Sequence, residues 1–279
     1  MPKCDHCGQD AGFLRKRHKE CERRHDEGIT EIAALGKAAA LSGAGFDDFG
    51  TKAEGIASQS FISPEKLRLV YVAAWDNAVE ASLEDNVLSL DEEHSLIAYR
   101  DHFALSQGEL DTKGSYTRLA EAGVIRDLLE DKLPARVTVE GNIPFNLQKS
   151  ETILWFFNNV QYYEERTRTT YQGSYQGASI RVARGLYYRV GGFRGNPVIT
   201  AQLVHVATGQ VGITQKHIYF AGGNKAFRVP YQKIVSFNPY SDGIAIQRDA
   251  ASARPQIFVT GDGWFTYNLV TNIARMAAA

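Results

Sequence analysis

Cysteine is scarce in this chain: three occur in 279 residues, all within the first 21. Three thiols crowded at one end make no disulfide framework, which points to a reducing cytoplasm. Long apolar runs are missing too, and none approaches the ~20 residues that a bilayer-spanning helix needs. The opening Met1-Pro2-Lys3-Cys4 lacks the apolar core of a secretory signal. Catalytic signatures are absent as well. There is no nucleophile-elbow serine, no His-Glu-x-x-His pair and no phosphate-binding loop. Gly191-Gly192-Phe193-Arg194-Gly195 is glycine-rich but carries no phosphate-cradling lysine. No internal repeat is present. The chain is therefore expected to bind rather than to catalyse.

Acidic residues are missing from one long interval. None occurs between Glu165 and Asp242, a stretch holding ten cations, including Arg166, Arg168, Arg181, Arg184, Arg189 and Arg194. Residues 135–279 hold 15 bases and 7 acids, whereas residues 28–134 hold 9 bases and 19 acids. The overall charge of −1 hides this asymmetry. A basic field of this size attracts an anionic surface, unless it is spent docking on the acidic half.

What the chain does have is enough apolar material for real cores, 44% hydrophobic against 23% charged, and length for about two domains. The cysteines make a pattern: Cys4-x2-Cys7, then His18-x2-Cys21. A Cys-x2-Cys knuckle turns two thiolates to one centre, and residues three apart share a helix face. So short a segment cannot bury enough surface to fold alone, and a structural Zn²⁺ is the expected remedy. Residues 1–27 are read as a zinc finger with Cys4, Cys7, His18 and Cys21 as ligands. His25 also fits as the fourth, and His6 is read as solvated. The finger carries 7 cations and 6 acids, a balance that argues against phosphate-backbone binding there.

Residues 28–60 are rich in Ala and Gly, with Ile32, Leu35 and Ala39 at helical spacing and a break at Ser42-Gly43-Ala44-Gly45; they read as a helical linker or the first hairpin of the next domain. Residues 61–134 read as a helical domain. Ser63-Pro64 opens a helix to about Ser82, and Asp91-Glu92-Glu93 opens another. The run from Asp85 fails as a calcium loop, since Val87 and Leu90 stand where an oxygen ligand and glycine are needed.

Residues 135–279 read as β structure with a closing helix. Val137, Val139, Ile143 and Phe145 alternate, and Ile153–Phe157 and Val160–Tyr163 are strand-like. Residues 209–223 read as strand, strand, turn. Ala226–Phe237, Gly243–Arg248 and Gln256–Thr260 read as strands, with Pro230 marking an edge or a bend. Beyond Asp262, a plausible N-cap, Phe265, Leu269, Ile273 and Met276 fall at helical spacing.

Ile213, Thr214, Ile218, Tyr219 and Phe220, then Phe227, Val229, Pro230, Tyr231 and Ile234, resemble the paired strands of GRAM and bacterial PH-like domains. The resemblance covers roughly 150–275. It implies an antiparallel β-barrel with a C-terminal helix that binds a lipid or peptide. The finger is similar to short zinc fingers that begin many bacterial multidomain proteins. The acidic stretch Leu83–Glu93 resembles TerB-like helical domains, which implies a bacterial stress or defence system. The expectation is thus an α+β multidomain interaction protein of zinc finger, helical domain and PH-like barrel, with a protein or anionic lipid as partner. Arginines and tyrosines (Tyr162, Tyr163, Tyr171, Tyr175, Tyr187, Tyr188) interleave in and around 166–194, so a single-stranded nucleic acid is the alternative partner.

Overall fold

Helix α1 (Lys19–Ser42) starts directly behind His18 and runs unbroken to Gly43, which closes it at φ 69° with its N–H on Ala39 O. The computed structural model in which it is seen describes residues 2–12, 16–85, 87–138, 143–171, 180–183, 186–188, 197–250 and 253–278, without side chains from 167 to 201. Contacts divide the chain into two units, Met1–Lys132 and Leu133–Ala279. None of the described helices is long and apolar enough to cross a membrane.

In the first unit α1 is followed by α2 (Phe46–Gln59), α3 (Pro64–Ser82), α4 (Leu90–His102), the short α5 (Gln107–Leu110) and α6 (Ser115–Leu129). The starts are written in the side chains. The Ser63 hydroxyl accepts from Lys66 N–H, and Ser89 and Ser106 form reciprocal capping boxes with Glu92 and Glu109. Trp75, Leu96, Tyr99 and Leu110 centre the core, and Trp75 Nε1 donates to Leu96 O at 2.9 Å. Ile32, Ala40, Phe49 and Ala53 belong to the same core. The helices over 28–60 therefore build this unit rather than linking to it.

Helix α1 approaches α3 closely at Gly36, where a Cβ would lie 2.7 Å from Ala74 Cβ and 2.9 Å from Phe49 Cζ. Alanine there improves helix propensity by about 1 kcal/mol. Overpacking against a backbone-anchored methyl costs ~1–3 kcal/mol. Gly36→Ala should thus lower stability by a net ~1 kcal/mol, read as a drop in urea midpoint at unchanged slope; a rise in midpoint would show that the helices part freely.

The second unit is a seven-stranded antiparallel sheet plus a helix. The strands are β1 (Ile153–Tyr171), β4 (Pro197–Thr214), β5 (His217–Gly222), β6 (Lys225–Pro230), β7 (Ile234–Pro239), β8 (Gly243–Arg248) and β9 (Gln256–Val259), in the order β6-β5-β4-β1-β9-β8-β7. β2 (Ile180–Ala183) and β3 (Leu186–Tyr188) form their own two-stranded ladder. β6 and β7 are the sheet's edges, so among the described residues no ladder closes it into the expected barrel. The run 226–237, read as one strand, is split: Pro230 cannot extend the ladder, and a 3₁₀ turn at Tyr231–Lys233 carries the chain to the opposite edge.

The two apolar runs 153–157 and 160–163 are one strand, bulged where Asn159 takes φ 54°. By contrast, Ile143 and Phe145 form no strand, and Val139 lies outside the described residues. Phe145 instead packs its ring on Tyr219 and Phe156, over Gly212. On the core side Tyr162, Phe220 and Phe258 stack together. Asp262 Oδ1 accepts from Phe265 N–H at 2.8 Å to start α7 (Gly263–Ala278), whose Phe265 ring meets Trp155.

β1 and β4 outrun their neighbours. β9 flanks β1 only at 161–164 and β5 flanks β4 only at 210–213, yet the β1–β4 register continues to Tyr171 opposite Pro197. The far part of this pair is a two-stranded ribbon reaching past the sheet.

Candidate metal centre

The finger folds as a knuckle against the first turn of α1. Gly8, at φ 71°, allows the tight turn behind Cys7, with its N–H on Cys4 O at 2.9 Å. Lys3 and Asp10 bridge as antiparallel backbone, and Asp5 N–H reaches Lys16 O at 2.9 Å. His18 caps α1 and Cys21 follows on its first turn. The result is that ligand atoms of Cys4, Cys7, His18 and Cys21 all lie within 4.8 Å of one another.

The spacing suits a tetrahedral ion. With metal–sulfur and metal–nitrogen bonds of about 2.3 and 2.0 Å, a tetrahedron separates S from N by about 3.5 Å. His18 Nδ1 stands 3.3 Å from Cys7 Sγ and 3.7 Å from Cys21 Sγ. His18 Nε2 lies 2.9 Å from Asp10 O, which can only accept. The proton is therefore on Nε2, and the Nδ1 lone pair faces the thiols, as a ligand requires. His18 N–H also donates to Cys4 Sγ at 3.4 Å.

Electrostatics favour the Cys4 thiolate and oppose that of Cys21. The backbone N–H of Cys7 is the main reason that the Cys4 thiol is pulled down to about 6. Burial, and then the neighbouring Cys7 and Cys4, push Cys21 up to about 11. A bound cation removes this conflict.

His25 stands outside the group: its Nδ1 donates to Ser60 O at 3.0 Å. His6 is half-buried rather than solvated. Its ring packs on His25 and Phe61, and burial pulls its pKa below the usual imidazole range.

The basic strip is less open than its composition suggests. Arg166 is exposed on β1, but Glu164 lies 3.9 Å from it and 2.9 Å from Lys225 Nζ. Arg168 and Arg181 hold backbone positions in β1 and β2, while Arg184, Arg189 and Arg194 lie outside the described residues. Tyr162 is not available to a partner, being fully buried with its hydroxyl between Glu164 and Gln256.

One cluster had no signal in the sequence. Glu151, whose side chain is fully buried, accepts from His217 Nδ1, from the Tyr219 hydroxyl and from Gln148 N–H at 3.1 Å. Burial alone would raise its pKa; the hydrogen bonds from Tyr219, His217 and Gln148 outweigh that and hold the carboxyl below its usual range. Only the pairing of β4 with β5 brings His217 and Tyr219 to a lone glutamate far back in the chain. In comparisons with known proteins, no family model matches the chain, and no curated protein matches it.

Proposed function

We propose that this chain is a non-enzymatic binding protein whose finger is held by a structural Zn²⁺ and whose β unit, a PH-like domain, meets an anionic lipid surface through the β1–β4 ribbon. The observation that carries this is the convergence of Cys4, Cys7, His18 and Cys21. Three thiols and an imidazole form a soft, closed donor set that selects zinc for structure rather than catalysis. The PH-like reading is supported by the order of seven antiparallel strands with a helix at the C-terminal end. The lipid reading is supported by the acid-free interval, which supplies the ribbon and the segment beyond it.

Co-sedimentation tests the partner. The full chain should pellet with phosphatidylserine vesicles at low salt and be released at high salt. Arg166→Gln, Arg168→Gln and Arg181→Gln together should weaken retention by about 100-fold, since each cation near such a surface contributes ~1 kcal/mol. Equal retention of this variant and the parent would sink the lipid reading; gel retardation of single-stranded DNA with no vesicle binding would replace it with a nucleic-acid one.

A further inference from the structure

A cavity of about 540 Å³ opens beside the Glu151 network, between the β4–β5 turn, the 3₁₀ turn and the last residues of α7. It is distinct from the β1–β4 ribbon, and its volume is in the range of small-molecule sites. Its walls are of two kinds. Ile273, Met276 and Ala277 of α7 supply an apolar side; Gln148, Lys216 and His217 supply a polar one.

The polar side has a definite sign. Among the described residues no carboxylate lines the cavity. The nearby Glu151 is spent on His217 and Tyr219. As a carboxylate it can only accept, so His217 spends its Nδ1 proton there, and the cation on the cavity wall is Lys216. Lys216 is exposed, and among the described residues its ammonium has only the Ser150 hydroxyl, at 3.4 Å. Tyr231 also lines the cavity; it is 4% exposed, and its hydroxyl has no hydrogen-bond partner among the described residues. That hydroxyl has no surface open to the cavity, so the charged head is left to Lys216.

We propose that this cavity binds a small anion with a short apolar tail, its charged head beside Lys216 and its tail against Ile273 and Met276. The occupant that fits is an alkyl carboxylate or an alkyl phosphate. The head is recognised by charge-assisted hydrogen bonds, which are stronger than neutral ones. The tail supplies the remaining affinity by burial.

Calorimetric titration of the full chain with octanoate, octyl phosphate and octanol tests this. Octanoate or octyl phosphate should saturate one site per chain, and octanol should bind at least tenfold more weakly. Whichever anion is tighter tells a free acid from a lipid-type head. Lys216→Gln, at an exposed position, should keep the parent's melting temperature and weaken the anion about tenfold while leaving octanol unchanged. Ala277→Trp should abolish binding of both by filling the cavity. The proposal is overturned if neither anion saturates, if octanol matches them, or if Ala277→Trp binds as the parent does. Vesicle retention reads the ribbon and octanoate titration reads the cavity, so either can fail without the other.

Discussion

Serine at Cys4 and Cys7 should reduce bound zinc from about one equivalent per chain to none, and residues 2–18 should lose their amide protection. Little else holds that segment. Of its described residues only Cys4 and Ala11 are buried apolar side chains, and its cross-chain backbone bonds are few. Structural zinc contributes ~10–16 kcal/mol in finger peptides, which no core of that size approaches. The ordering of α1 beyond Cys21 is a different matter. Ile32, Ala39 and Ala40 bury it in the helical core, so protection should persist there. Elemental analysis with hydrogen exchange reads both halves of the result. A protein free of transition metal with residues 2–18 still protected would refute the metal as the organising element.

The four donors were legible because their geometry is local. A knuckle and an i, i+3 pair are short-range facts; spacing specifies the three thiols, and it left only His25 open beside His18. The same holds for α3, announced by Ser63-Pro64, and for β8, bounded as read at Gly243–Arg248. Where partners are distant, spacing carried no information. Glu151 meets His217 only through strand register, and Lys225 meets Glu164 across the curvature of the sheet. That second contact also shows why a gap of acids along the chain is not a gap in space. Alternation misled in one place for a related reason. Phe145 has the period of a strand but serves as a plug over Gly212, and nothing local separates the two roles. Between Phe227 and Phe237 the apolar pattern continues through a turn that only the proline betrays.

Arg126→Met should destabilise the helical unit by about 3–5 kcal/mol, the usual result of removing one partner of a buried ion pair. Arg126 on α6 donates to Glu93 Oε2 on α4 at 2.6 Å, and the two side chains are 11% and 6% exposed. Its guanidinium also meets Asp127 at 3.2 Å. Glu93 thus has a different task from its acidic neighbours: Glu92 completes the Ser89 cap, while Glu93 turns inward. Removing the arginine takes a 2.6 Å partner from a carboxylate that is 6% exposed, whereas Glu93→Leu takes it from a guanidinium that is 11% exposed. Either change should lower the melting temperature of this unit by roughly 10–20 °C. The paired variant Glu93→Leu/Arg126→Met should recover most of the loss, because two apolar side chains of similar volume need no solvation. Trp75 is the one tryptophan of this unit, while Trp155 and Trp264 belong to the other, so fluorine-labelled tryptophan NMR follows each unit's unfolding separately. Single variants that melt with the parent would show that the pair is solvated in solution. A double variant no more stable than the singles would show that the charges specify how α4 and α6 pack, and that apolar contact cannot replace them.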